Sequence, residues 1–248
     1  MAKVRIDQLL VARGLAPTRA RAQAIVLAGE VFVGEVRIDK AGTLLPDDVK
    51  VDVRSTAQPY VSRGGVKLAG ALDGFGIDVR GARCLDLGAS TGGFTDCLLQ
   101  RGAARVVAVD VGYGQLAHKL RIDPRVVSME RTNGRNLTAE DVGGPADVTV
   151  VDASFIGLAK LTAAIARCTR PGGELIALVK PQFEVGRAEA SRGKGVVRDE
   201  RVRADAVSAA VESVRSGGFD VLGQCDSVLP GPKGNLEAFV WARKRASA

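Results

Sequence analysis

"CLDLGASTGGFTDCLLQRGAARVVAVDVG", residues 84–112, decides the fold of this 248-residue chain. An apolar run ends in Asp86 and a glycine cluster, and a second apolar run ends in Asp110, 24 positions later. Strand, glycine turn, helix and strand open a mostly parallel sheet covered by helices. Ligands of such sheets sit outside the carboxyl ends of the strands, where the strand order reverses. Gly88, Gly92 and Gly93 let the backbone come close to a ligand ahead of a helix N-terminus, which favours an anion.

Asp110 is placed to accept from two ribose hydroxyls, and a charged Asp86 suits a ligand ammonium. The spacing is Gly88-x-x-x-Gly92-Gly93, not G-x-G-x-x-G, so the pyrophosphate cradle of a nicotinamide cofactor is disfavoured. An amino-acid end plus a ribose describes S-adenosylmethionine.

Outward from this stretch the pattern keeps alternating. Strand candidates fall near 83–87, 105–110, 125–129, 147–152, 174–180, 220–226 and 236–242, with helical segments at 94–101, 115–121, 156–169 and 200–216. The fold class is therefore α/β, with helices on both faces of the sheet. "SVLPGPKGN" between the last two strands has no room for a helix, so the last strand should run antiparallel.

Residues 1–58 read as a small αβ unit: two helices, "IDQLLVARG" and "PTRARAQAIVLAG", followed by short alternating strands. Residues 59–65, ending in a glycine pair, read as linker, and 66–248 as the second domain. The net charge is +7 and the pI about 9.5, which points to a polyanionic partner. The first 21 residues hold Lys3, Arg5, Arg13, Arg19 and Arg21 against one acid, Asp7. Cys84, Cys97, Cys168 and Cys225 form no CxxC pair, so buried thiols in a reducing cytoplasm are expected, with no disulfide framework and no metal. "MAKVRIDQLL" shows no signal peptide, and no apolar run suits a membrane span. The protein is expected to be cytoplasmic and a monomer.

"DLGASTGGFTDCLL" with "VDVGYGQL" resembles the cofactor half of the Rossmann-like RNA ribose methyltransferases. "SRGGVKL", "VVDASFIGL", "LVKPQFEVG", "GVVRDE" and "PGPKGNLEAFVW" then resemble, in order, the TlyA family of bacterial rRNA 2′-O-methyltransferases, sometimes labelled haemolysins. "RIDQLLVARGLAPTRARAQAIVLAGEVFVG" is similar to an S4 RNA-binding domain. The resemblance implies an S4-like domain ahead of a Rossmann-like, FtsJ-like methyltransferase domain that uses S-adenosylmethionine on ribosomal RNA or a ribosomal subunit. The implied target is a cytidine of 23S rRNA, with 16S as a further target; the short chain ends resemble the type restricted to 23S.

The family's Lys-Asp-Lys-Glu set falls here on Lys67, Asp152, Lys180 and Glu237. A lysine can take a 2′-OH proton only when desolvation or nearby positive charge lowers its pKa. Lys180 is cast as base or hydroxyl orienter, Asp152 as the group positioning Lys180 and the methyl donor, Lys67 as the ribose and phosphate holder, and Glu237 as the group fixing Lys67. The lysine roles could be exchanged. Cofactor contacts are expected from Asp86, Gly88, Ala89, Ser90, Thr91, Gly92, Gly93, Phe94, Asp110 and Asp152. Tyr113 is placed to flank the cofactor, Thr132 and Asn133 to meet its adenine, and Ser154 and Phe155 to shape the methyl site. RNA contacts are expected from Lys3, Arg5, Arg13, Arg19, Arg21, Arg63, Lys67, Arg187, Arg192 and Lys194. The sole histidine, His118, reads as structural.

Two other functions compete. A membrane-active haemolysin needs an amphipathic or apolar insertion segment, which the sequence does not show. A non-catalytic RNA-binding module would leave the four charged residues without a purpose.

Overall fold

The computed structural model describes residues 3–27, 29–53, 59–185 and 195–246, which fall into two units, Met1–Gln58 and Pro59–Ala248. In the first, β1 (Lys3–Arg5) leads directly into α1 (Ile6–Ala12), followed by α2 (Arg19–Leu27), β2 (Val31–Val33), β3 (Val36–Ile38), β4 (Leu44–Pro46) and β5 (Asp52–Val53). Helical spacing brings Ile6, Leu9 and Leu10 of α1 against Ala22, Ile25 and Val26 of α2, and Val31 and Ile38 close this small core. β1 pairs antiparallel with β4, and β2 pairs with β3 and β5.

Asp7 is fully buried in this unit. It accepts from Arg5 Nε at 3.1 Å, Arg19 Nε at 3.0 Å and Gln23 Nε2 at 3.0 Å. The Arg5 hydrogen bond, with Gln23 and Arg19 behind it, outweighs burial and holds the carboxyl well below the usual carboxylate range. Arg5 and Arg19, expected as free RNA contacts, are thus tied to Asp7, with 40% and 54% of their side chains still exposed. Arg13 reaches the carbonyls of Val49 and Asp47, whereas Lys3 and Arg21 are exposed.

The second unit runs α3 (Arg63–Phe75), β6 (Arg83–Leu87), α4 (Gly93–Gln100), β7 (Arg105–Val109), α5 (His118–Arg121), β8 (Val126–Met129), β9 (Ala146–Val151), α6 (Thr162–Cys168), β10 (Thr169–Val179), α7 (Pro181–Glu184), α8 (Glu200–Ser216), β11 (Phe219–Asp226) and β12 (Ala238–Lys244). The linker expected at 59–65 is corrected here. Arg63–Gly65 form the first turn of α3, and Val61 N donates to the buried Asp96 of α4 at 2.8 Å. The glycine pair that reads as a hinge serves close packing instead: a Cβ on Gly65 would stand 2.3 Å from the Tyr60 ring.

One seven-stranded sheet has the order β11-β12-β10-β9-β6-β7-β8, and β12 is antiparallel to both neighbours. Leu85, Leu87, Val107 and Val109 face α6 and α8, while Cys84, Val106 and Ala108 face α3 and α4. Both faces are covered, which is why the central strands read as largely apolar runs rather than as alternating ones. α8 shows how the outer layer is built. Asp199 caps it by accepting from Arg201 N and Val202 N, and Ala206, Val207, Ala210, Val211 and Val214 form its buried stripe. α5 is shorter than the segment 115–121 suggests, and 156–169 divides into a short 3₁₀ turn at Leu158–Lys160, then α6. Cys84, Cys97 and Cys168 are buried thiols, pushed up to about 12, 11 and 11 chiefly by desolvation.

Candidate active site

The strand order reverses beside β6: the chain proceeds to β7 and β8 on one side and to β9 and β10 on the other. The loops that leave the carboxyl ends of β6, β7, β8 and β9 enclose a cavity of about 320 Å³ at that point. Its walls carry Gly88 and Ser90 after β6, Asp110, Val111 and Gln115 after β7, Thr132, Asn133 and Gly134 after β8, and Asp152 to Ile156 after β9. Such a volume at a switch point suits a small-molecule ligand.

Asp110 anchors one end of the cavity. Its Oδ2 accepts from Ser90 N at 2.8 Å and its Oδ1 from Gly112 N at 2.7 Å. Each carboxylate oxygen keeps capacity for a second donor, so paired ligand hydroxyls can still bind. Ser90 occupies the left-handed region (φ 48°) and donates its hydroxyl to Gln115 Oε1 at 3.1 Å. Gly88 must lack a side chain, because a Cβ there would lie 2.8 Å from the Asp152 carbonyl oxygen. Asn133 Oδ1 accepts from Arg135 N at 3.1 Å, which turns the chain beneath the same end. A carboxylate, a glycine-tight turn and a mixed polar and apolar wall fit an amino-acid-bearing nucleoside such as S-adenosylmethionine.

Several residues expected as cofactor contacts do not line this cavity. Asp86 is not on the cavity wall; it is fully buried, because alternation along β6 turns it with Cys84 toward α3 and α4. There Thr95 Oγ1 donates to its Oδ2 at 2.7 Å while Oδ1 has no partner among the described residues, and burial pushes the carboxyl up to about 7. Gly92, Gly93 and Phe94 pack rather than line the cavity. Gly92 takes φ 93° at the start of α4, and a Cβ on Gly93 would stand 2.2 Å from Ser62 Oγ. Phe94 stacks on Phe239, centroids 6.1 Å apart. Ala89 is buried and Thr91 exposed, both off the wall. Tyr113 is 69% exposed outside it, with the Arg131 guanidinium 4.1 Å above its ring. Gln115, Val111, Ile156 and Leu161 also line the cavity, although none of them is among the site residues expected from the sequence.

The four charged residues form two pairs. Asp152 follows β9 and Lys180 follows β10, its parallel neighbour; Lys180 Nζ stands 2.6 Å from Asp152 Oδ1, 2.8 Å from Ser154 Oγ and 3.4 Å from Asp152 O. Lys67, one turn into α3, is ion-paired with Glu237, and both are buried. Val179 pairs with Ala238, so one further step of register sets Lys180 across from Glu237, which precedes β12 instead of beginning it. α3 also touches the first pair: a Cβ on Gly64 would lie 3.7 Å from Asp152 Oδ2. Both ion pairs therefore meet at the carboxyl edge, on the β9–β10–β12 side of the cavity.

Lys67 is 6% exposed, which removes it from any outer surface for phosphate; the cause is its pairing with Glu237. Arg63 is exposed and donates to the Pro230 carbonyl at 2.7 Å. His118 is an exposed residue at the start of α5. Arg187, Arg192 and Lys194 lie outside the described residues. Among the described residues no group of histidine, cysteine and carboxylate side chains could hold a metal ion, and no helix is long and apolar enough to cross a membrane.

Comparison with known proteins follows the same division. The FtsJ-like methyltransferase model matches residues 60–244 and the S4 domain model matches residues 4–51. The 16S/23S rRNA (cytidine-2′-O)-methyltransferase TlyA of Mycobacterium tuberculosis is 48% identical over 97% of this chain and 90% of its own length. The 23S rRNA (cytidine-2′-O)-methyltransferase TlyA of Campylobacter jejuni is 34% identical over 80% of this chain and 76% of its own. A solved structure from Streptococcus thermophilus, described as a hemolysin, superposes with a TM-score of 0.75 at 40% identity, covering 100% of this chain and 90% of that one. The chain belongs to the TlyA family, in which an S4 domain precedes an FtsJ-like methyltransferase domain.

Proposed function

We propose that this protein is an S-adenosylmethionine-dependent methyltransferase of the ribose 2′-OH of a cytidine in ribosomal RNA, working in the cytoplasm. The observation that carries this reading is the Lys180–Asp152 ion pair, whose Asp152 lines a switch-point cavity; the buried Lys67–Glu237 pair lies one register step away at the same sheet edge. The cofactor supplies a methyl group made electrophilic by its sulfonium. Asp110 would hold its ribose, and the glycine turn at Gly88 would let it lie close to the backbone.

Lys180 would meet the incoming 2′-OH. Its ammonium donates to Ser154 Oγ and to Asp152 O and is ion-paired with Asp152 Oδ1. Of these acceptors only Ser154 belongs to an exposed residue, so a ribose hydroxyl can take its place. Lys180 would then orient that hydroxyl through its ammonium, or, entering the reaction as the neutral amine after its own proton has passed to solvent, accept the hydroxyl's proton, while Asp152 holds Nζ in register. Alignment of this kind supplies a large part of a barrier reduction, roughly 7–11 kcal/mol in favourable cases. Lys67, fixed by Glu237, would set positive charge behind the reacting ribose. The S4 domain would add phosphate contacts, whose affinity falls with salt.

Both curated relatives carry 23S in their names, and the more similar one carries 16S as well. The proposed target is therefore a 23S cytidine, with a 16S cytidine as the second substrate. Mapping 2′-O-methylated riboses in both rRNAs from cells with and without the gene tests this. Loss of one 23S mark is expected, and loss of a 16S mark would extend the activity to both subunits. Unchanged methylation in both rRNAs would refute the proposal.

A further inference from the structure

Glu184 is a half-buried carboxylate that the proposed chemistry does not use. It ends α7, four residues after Lys180, and its Oε1 accepts from Leu158 N at 2.8 Å. Its Oε2 packs against Gly157, where a Cβ would lie 3.0 Å away. Burial is the larger influence on this carboxyl and raises it above the usual range, against the Leu158 hydrogen bond.

Two further contacts run parallel to this one. Lys180 Nζ reaches Ser154 Oγ, and the Phe183 ring lies 5.1 Å from that of Phe155. α7 and the segment 152–158 are thus joined at three successive points, 180 to 154, 183 to 155 and 184 to 158. The segment so held has Phe155 at φ 65°, in the left-handed region that a bulky side chain avoids. Such a conformation persists only where its surroundings over-determine it. The same segment carries Asp152 and forms one wall of the cavity.

We propose that Glu184 is a positioning residue: by fixing Leu158 N it holds the strained segment 152–158 against α7, and so keeps Asp152 and Lys180 aligned. The inference rests on the methyltransferase reading of the site. Glu184 touches neither reacting group and acts only through Leu158. Its carboxylate is required as a hydrogen-bond acceptor of a given length, not as a charge.

The test uses the full chain with Glu184→Met, which keeps the volume but removes the acceptor, and Glu184→Gln, which keeps an acceptor oxygen. Single-turnover methyl transfer to 23S rRNA at saturating cofactor and RNA is measured beside cofactor affinity by calorimetry and amide exchange at Leu158. Glu184→Met should lose about 10²-fold in the chemical step, the scale of a misplacement near 1 Å. Its Leu158 amide should exchange faster, and its cofactor affinity should fall far less than its rate. Glu184→Gln should restore most of the rate and the protection. A wild-type rate in Glu184→Met, or a Gln variant as impaired as Met, would overturn the proposal. Should the wild-type chain itself transfer no methyl group to rRNA, the methyltransferase reading fails instead, and the exchange data still report whether Glu184 holds the segment.

Discussion

Lys180 Nζ lies 2.6 Å from Asp152 Oδ1, and the pair bridges the ends of two adjacent parallel strands. That geometry separates catalysis from binding. Lys180→Ala should cut single-turnover methyl transfer by roughly 10²–10⁴-fold, the usual contribution of a positioned acid or base. RNA and cofactor affinity should change little. Lys180→Arg should fail too, because a guanidinium stays protonated and its planar fork does not replace a point ammonium. Near-wild-type rates in either variant would make Lys67 the better candidate for the 2′-OH.

The second pair makes a stability statement. Lys67 and Glu237 have 7% and 1% of their side chains exposed, so removing one partner strands the other charge in the interior. Lys67→Met is expected to destabilise the protein by about 3–5 kcal/mol, and Lys67→Met with Glu237→Leu by clearly less. Urea unfolding of the wild type, the single and the double variant checks this. Equal midpoints for single and double would show that the pair is not coupled.

Asp86 should write a slope into the pH dependence of stability. Its carboxyl is pushed from 3.8 to about 7 in the folded state, chiefly by burial. Between those values the folded chain holds a proton that the unfolded chain has released, so stability falls as pH rises from about 4 to about 7, then levels. The lowered carboxylates Asp7, Asp73, Asp78, Asp123 and Asp147 act in the opposite sense and below that window. Asp86→Asn should therefore flatten the decline between pH 5 and 7 in denaturant titrations. A slope unchanged by the substitution would contradict the burial argument.

Cofactor and RNA binding are expected to separate along the chain. A protein starting at Pro59 keeps the contacts of Pro59 O with Gln100 and of Val61 N with Asp96. It should bind S-adenosylmethionine in calorimetry with wild-type affinity. Its binding to rRNA fragments should weaken strongly and show a shallower salt dependence, since the cations of residues 3–21 are gone. RNA binding as tight as that of the whole chain would show that the first unit is not the grip.

The sheet was legible because its central strands are mostly apolar and are followed by glycine or aspartate, a pattern carried in five or six neighbouring residues. Asp110 and Asp152 could be placed at the cavity for that reason. Asp86 reads the same way in one dimension, yet it sits one residue before the strand end, and alternation turns it into the interior. Gly92 and Gly93 look like ligand glycines but answer to packing, Gly92 against Leu116 and Leu120 and Gly93 against Ser62, Gly64 and Gly65 at the start of α3. Gln115 and Glu184 lie inside stretches that resemble the family, yet nothing in their local pattern marks either as a site residue. Each acquires its place through a partner 25 or 26 positions away, Ser90 for one and Leu158 for the other. In the first unit, Asp7 counted as one acid against five bases, whereas burial lets it gather two of those bases around itself.

The position of β12, threaded antiparallel between β10 and β11, sets a timetable for synthesis. Lys67 has to wait 170 residues for Glu237. During translation the S4 domain and the first five strands of the large sheet leave the ribosome well before the strand that closes the charge pair. Contacts this distant in sequence form late, so the Lys67–Glu237 pair closes only after the first unit has been synthesised in full. A half-made enzyme would lack the closing strand that brings in Glu237.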